Sequence, residues 1–308
     1  MTALVLSASR SLFVQLLARL AAFWSLCKPR VNSLIVFTAM IGMLLAGDGA
    51  APAGRFLAAS LGIGLVAFAA AAINCLVERT ADALMARTRA RPLPQGVIHP
   101  LEALAMAAAV GGSGLWLLYT QVNALTMWLT LATFLGYAVV YTLILKPATP
   151  MNIVIGGAAG AMPPVLGWAA MTGHVSMEAL ALFLVIFLWT PPHFWALAMA
   201  RREEYAKAGF PMLPVTHGIP ITCLHSLLYV VMLTAASFLP VTLGMAGLAY
   251  GVVVAALDAV FLAQAYRLWR NYSDADSRRM FRWSILYLTG LFAALFADRL
   301  LTPWLPAF

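Results

Sequence analysis

The sequence predicts an all-α, polytopic membrane protein of about nine transmembrane helices, and three observations carry that prediction. Of the 308 residues, 63% are hydrophobic and only 10% are charged, against about 25% charged in soluble domains. Apolar runs of about 20 residues, the length that crosses a bilayer, recur along the whole chain. The runs do not alternate, which excludes a transmembrane β-barrel, whose strands alternate polar and apolar positions. Nine spans take about 180 residues. No sizeable soluble domain fits beside them, and residues 1–308 read as a single integral-membrane domain.

The runs fall at 31–47, 56–77, 99–119, 122–145, 151–172, 177–200, 221–241, 243–266 and 283–302. The weakest break is near Pro240. Residues 1–27 precede them as a cytoplasmic or interfacial segment. No basic region leads this segment and Arg19 interrupts it, so it does not read as a cleaved signal peptide. A transit peptide stays open, and the default is a helix lying on the membrane surface. With the N-terminus in the cytoplasm and the runs alternating, every Lys and Arg except Arg55 and Arg299 falls on the cytoplasmic side. That is the positive-inside pattern. It accounts for the net charge of +8 with no nucleic-acid partner. Cys27, Cys75 and Cys223 show neither paired nor metal-type spacing.

Two cytoplasmic connections, 78–96 and 201–218, are longer and more polar than most of the others. A third, basic connection is expected after Arg267. Loops on a rigid scaffold are where function concentrates. The first begins with Asn74, Glu78 and Asp82, spaced i, i+4, i+8, which on a helix places three oxygen-bearing side chains on one face. Hard cations such as Mg²⁺ take carboxylates together with substrate phosphates, so the row suggests a Mg²⁺–diphosphate site. Its alternative is a solvated helix end. Arg79, Arg87, Arg89 and Arg91 follow. Arg87 and Arg91 are again i, i+4 if the helix continues, and arginine binds phosphate oxygens in pairs. Topology explains the side on which these arginines lie, but not their pairing with the acidic row.

The stretch 74–94, NCLVERTADALMARTRARPLP, resembles the first aspartate-rich motif of the UbiA superfamily of intramembrane prenyltransferases. It is most similar to the haem-directed branch, the protohaem IX farnesyltransferases or haem O synthases. The typical pattern is N-x-x-x-D-x-x-x-D followed by M-x-R-T-x-x-R-P. Met85, Arg87, Thr88, Arg91 and Pro92 match it, and Glu78 stands where most members have Asp. Lys28-Pro29-Arg30 is similar to the family's motif before the first span. Residues 141–167 resemble its central signature, with Met151 where most members have Gln. TPPHFWALA at 190–198 and EYAKAGFPMLP at 204–214 resemble two further blocks specific to the haem branch. Quinone-directed relatives carry a second Asp-rich motif there instead. The resemblance covers about 25–300.

The resemblance implies a UbiA-type bundle in the bacterial inner membrane with its active site facing the cytoplasm. It implies a Mg²⁺-dependent transfer of farnesyl from farnesyl diphosphate to a vinyl group of haem B, with addition of water, giving haem O for terminal oxidase biogenesis. Membrane lipid surrounds such an enzyme, and a haem A synthase or oxidase assembly factors are its expected partners. Asn74, Glu78 and Asp82 would hold the metal, joined by Glu204. Arg87 and Arg91 would hold diphosphate or the haem propionates. Lys146, Tyr205 and Lys207 would contact substrate, with snorkelling and a solvated loop as the plainer readings of the two lysines. His193 follows Pro191-Pro192, where a helix break beside a cavity is expected. It would meet haem, or else bond a freed carbonyl. Asp258, inside the eighth span, reads as a hydrogen-bonded structural acid, and the glycines of the fifth span as packing contacts. The rival functions are prenylation of another aromatic or tetrapyrrole acceptor, a transporter, and a non-catalytic haem carrier.

Overall fold

A computed structural model describes the backbone of residues 2–47 and 52–301, and side chains from residue 14 onward. Among these residues the chain is helical, with no strand. Eight helices are long and apolar enough to cross a membrane, and a bent pair adds a ninth. The pair is α1 (Thr2–Leu26) and α2 (Pro29–Leu45), joined at Lys28. From Val14 onward the two make an angle of 53°. Pro29 at the first position of α2 suits a helix start, where a missing N–H costs nothing.

The remaining spans are α3 (Ala53–Val77), α5 (Pro100–Gln121) and α10 (Met177–Met199), then α15 (Leu248–Arg270) and α16 (Asp274–Leu301). Three composite spans complete the set. In the first, α6 (Ala124–Leu135) runs into a π-helix (Gly136–Leu145) and α7 (Lys146–Ala148). In the second, α8 (Asn152–Ala161) and α9 (Pro163–Thr172) meet at Met162. In the third, α13 (Gly218–Ser237) continues into α14 (Leu239–Thr242). Short helices α4 (Arg79–Leu84), α11 (Arg202–Lys207) and α12 (Leu213–Thr216) lie in the two polar connections.

Successive spans pack side by side, and α16 returns to α2, so the bundle closes on itself. Close approach is set by small residues. A Cβ on Gly167 of α9 would overlap the backbone carbonyl of Ala39 in α2, and one on Gly42 would overlap that of Pro164. Asp298 of α16 accepts the backbone N–H groups of Gly247 and Tyr250, 2.7 and 3.2 Å away, and so caps α15 from another helix. Asp258 is buried and bonds the Ser237 hydroxyl at 2.8 Å and Tyr287 at 2.7 Å. The hydrogen bonding expected of it is present.

Two expectations are corrected. The Pro191-Pro192 pair does not break α10. Trp189 Nε1 donates to the Ser284 carbonyl at 2.7 Å, His193 Nδ1 lies 2.6 Å from the Ser284 hydroxyl, and Ser277 donates to the Ala196 carbonyl at 2.7 Å. These bonds strap α10 to α16 across the proline pair. The basic stretch after Arg267 is not a long connection either. Helix α15 reaches Arg270 and α16 starts at Asp274, capped by Ser273, so Arg278, Arg279 and Arg282 lie on the first turns of the last span.

Candidate active site

The polar residues gather at one end of the bundle. Alternation brings together there the C-termini of α3, the π-helix and α10 and the N-termini of α2, α8 and α13. Asn74 sits on the last turn of α3, and Glu78 is the junction between α3 and α4. The helix is interrupted at Glu78, yet Glu78 N–H still bonds the Asn74 carbonyl at 3.0 Å and Asp82 N–H the Glu78 carbonyl at 2.7 Å. The i, i+4, i+8 stack therefore survives the break. Asn74, Glu78 and Asp82 are all buried.

Three cations close on this row, two of them from distant segments. The Lys28 ammonium donates to Asn74 Oδ1 at 2.5 Å. Lys146 meets Glu78 Oε1 at 2.5 Å, and Arg91 meets Asp82 Oδ2 at 2.6 Å. Asn74 Nδ2 donates to Glu78 Oε1 at 2.7 Å and lies 3.2 Å from the Thr142 hydroxyl. Burial pushes the Glu78 carboxyl up, but Lys146, Lys28 and the Asn74 amide together hold it below the usual carboxylate value. Lys28 is also the one non-glycine residue with positive φ among the described residues, at φ 46°. Strain of this kind costs about 1–3 kcal/mol and persists where its surroundings hold it.

The second polar connection reaches the same place. The Phe210 ring lies under the Lys146 ammonium, 4.7 Å from its centroid. Tyr205 is buried beside Met85, Trp195, Met212 and Leu213, which joins the two loops in one apolar cluster. Glu204 pairs with Arg201 at 3.6 Å, while its Oε2 is buried without a hydrogen-bond partner. Arg87 and Lys207 are exposed and make no ion pair among the described residues. Because α4 ends at Leu84, Arg87 and Arg91 do not share a helical face. Only Arg91 turns back to the row. His193 stacks between Trp189, 4.2 Å away, and Phe281, 4.7 Å away, with Nδ1 on Ser284. Its bonding partner is a hydroxyl, not a freed carbonyl.

Asn74, Glu78 and Asp82 are two carboxylates and an amide, hard oxygen donors of the kind Mg²⁺ accepts alongside substrate phosphates. No three His, Cys, Asp or Glu side chains converge among the described residues, so such an ion would depend on the amide and on substrate oxygens. The residues fit the ion. Glu204 stands apart from this row, with its carboxylate beside Arg201. Lys28, Thr142 and Phe210 went unread as contributors to the site. Lys28 was visible only as part of a motif, and nothing in the sequence marks the π-helical register that turns Thr142 inward.

The UbiA prenyltransferase family model matches residues 35–286. The chain is 69% identical over 283 residues to the protoheme IX farnesyltransferase of Dechloromonas aromatica, covering 92% of this chain and 95% of the relative. It is 62% identical over 280 residues to that of Thiobacillus denitrificans, covering 91% and 94%. A solved digeranylgeranylglyceryl phosphate synthase superposes with a TM-score of 0.77 at 20% identity, over 92% of this chain and 99% of that one. A UbiA homologue from Archaeoglobus fulgidus, bound to GPP and Mg²⁺, superposes with 0.59 at 16% identity over 89% and 99%. The chain belongs to the UbiA prenyltransferase family, in the branch of the protoheme IX farnesyltransferases.

Proposed function

We propose that the protein transfers the farnesyl group of farnesyl diphosphate to a vinyl group of haem B, with addition of water, and releases haem O and diphosphate. The observation that carries this reading is the buried acidic row faced by Lys28, Lys146 and Arg91 at one end of an apolar bundle. The names of the most similar relatives supply the substrate class. The allylic C–O bond breaks and its electron pair leaves with diphosphate. The farnesyl carbon joins the outer vinyl carbon, water oxygen joins the inner one, and one proton of that water is released.

Lys28, Lys146 and Arg91 present N–H donors to the departing charge, preorganised by their bonds to the row. Asn74, Glu78 and Asp82 would hold Mg²⁺, which when bound offsets charge on the leaving diphosphate, and Glu204 would supply a carboxylate to a second ion. Arg87, Lys207 and Tyr205 would contact diphosphate or the haem propionates. His193 would meet haem through Nε2. Surrounding apolar helices exclude premature water from an allylic cation. The chain would form one domain in the bacterial inner membrane, and the distribution of Lys and Arg supports an orientation with this end in the cytoplasm. The product would pass to terminal oxidase assembly.

Purified protein given haem B, farnesyl diphosphate and Mg²⁺ is expected to yield a haem heavier by farnesyl plus water, and none without Mg²⁺. Tight haem binding with no such product would instead mark a carrier.

A further inference from the structure

A side-chain amide has two ends that differ only in chemistry, and the hydrogen bonds around it decide which end faces a ligand. At Asn74 the oxygen faces the Lys28 ammonium and the nitrogen faces Glu78 and Thr142. Glu78 is an unsteady anchor for that orientation, because its Oε1 is shared with Lys146. Thr142 is not shared in this way. Its single hydroxyl proton is committed to the Tyr137 carbonyl at 2.8 Å, so toward Asn74 it can only accept. Thr142 is 3% exposed, so the bond is shielded from bulk solvent.

The reach to Tyr137 is five residues. In an α-helix a threonine hydroxyl bonds a carbonyl three or four residues back. Residues 136–145 are π-helical, and the Lys146 N–H likewise bonds the Tyr141 carbonyl five back. One register therefore delivers both Thr142 and Lys146 to the Asn74–Glu78 pair. π-Helical turns are rare and frequent at functional sites.

We propose that Thr142 is a positioning residue. Held by the π-helical register, it fixes the Asn74 amide with Oδ1 toward the diphosphate site. This rests on the reading of Asn74 as part of that site. Without Thr142 the amide can rotate, and its N–H₂ then faces Lys28 and any other cation.

The test is calorimetric binding of farnesyl diphosphate with Mg²⁺ to detergent-purified protein, with haem B binding measured in parallel. Thr142→Val keeps the shape and removes the hydroxyl. It is expected to weaken farnesyl diphosphate binding about tenfold, the scale of one hydrogen bond in a charged setting, and to leave haem B binding unchanged. Thr142→Ser is expected to restore it. In an Asn74→Ala background, Thr142→Val is expected to add nothing, because coupled residues are not additive. Wild-type affinity in Thr142→Val, or a full additional loss in the Asn74→Ala background, would overturn the proposal. Should Thr142→Val not fold, Thr142→Ala makes the same comparison at smaller volume. Wild-type affinity in Asn74→Ala alone would instead sink the underlying assignment of the site.

Discussion

Lys146 and Glu78 meet at 2.5 Å although 68 residues separate them, and both are largely withdrawn from solvent. Two helices that are not consecutive in the chain, α3 and the π-helical span, are pinned at one end by this pair. Removing one partner of a buried pair leaves the other uncompensated, which costs more than the pair contributes. Glu78→Gln leaves both Lys146 and Lys28 without a counter-charge. It is expected to lower turnover by about 10²-fold or more and to raise the Mg²⁺ concentration needed for half-maximal rate. Glu78→Asp, which keeps the charge on a side chain one methylene shorter, is expected to keep most activity. A Mg²⁺ titration of turnover in the two variants checks this, and unchanged turnover in Glu78→Gln would remove Glu78 from the site.

The same carboxylate gives a pH signature. Its value in the folded protein lies below the ordinary 4.5, so its contribution to stability is fully present above 4.5 and is lost as pH falls toward the lowered value. Wild type is therefore expected to exceed Glu78→Gln in unfolding temperature by a constant margin at neutral pH. That margin narrows below pH 4.5. Thermal unfolding in detergent across pH 3 to 7 (about the usable range) reads the difference directly. A margin that widens in acid would contradict the assigned sign.

His193 has one ring nitrogen on Ser284 and its ring between Trp189 and Phe281. Only Nε2 is left for a haem iron. His193→Ala is expected to move the Soret band of bound haem B, and Ser284→Ala to move it less, through ring orientation. A Soret band unchanged in His193→Ala would make the residue a packing element of the α10–α16 seam.

Asp258 answers to a different logic. Ser237 has one hydroxyl proton but two short contacts, to the Thr234 carbonyl at 2.7 Å and to Asp258 Oδ2 at 2.8 Å. An asparagine satisfies every partner, donating to Ser237 and accepting from Tyr287. Asp258→Asn is therefore expected to be near neutral in unfolding temperature. Asp258→Leu strands the buried Tyr287 hydroxyl, at about 1–3 kcal/mol, while Ser237 keeps its bond to the Thr234 carbonyl. Equal destabilisation by both would show that the charge, not the bonding, matters.

The span count and the positions of the long helices were legible because bilayer thickness imposes a length that local composition meets. The acidic row was legible for a similar local reason, since a spacing of four survives even the interruption at Glu78. What stayed hidden depends on partners far away in sequence. The continuity of α10 through two prolines is secured by Ser277 and Ser284, about ninety residues downstream, and no local pattern announces them. Arg87 and Arg91 show the opposite error. An apparent i, i+4 pairing means nothing once α4 ends at Leu84. The π-helix escaped because an i+5 register leaves no mark in an almost wholly apolar stretch.

The elbow at Lys28 has a consequence for the surrounding lipid. Helix α2 has 17 residues, about 26 Å at 1.5 Å per residue, whereas the other spans have 21 to 28. A hydrocarbon core is about 30 Å thick, so α2 by itself falls short. The mismatch is met by local thinning of the bilayer or by drawing in α1, whose Leu16, Leu17, Leu20 and Trp24 are exposed. Thicker membranes pull on the elbow, and the elbow carries the ammonium that holds Asn74. Acyl-chain length is thus expected to act as an effector of turnover. Reconstitution in phosphatidylcholines of increasing chain length would read that dependence as a fall in rate in the thickest bilayers, and a flat profile would show that α1 absorbs the strain.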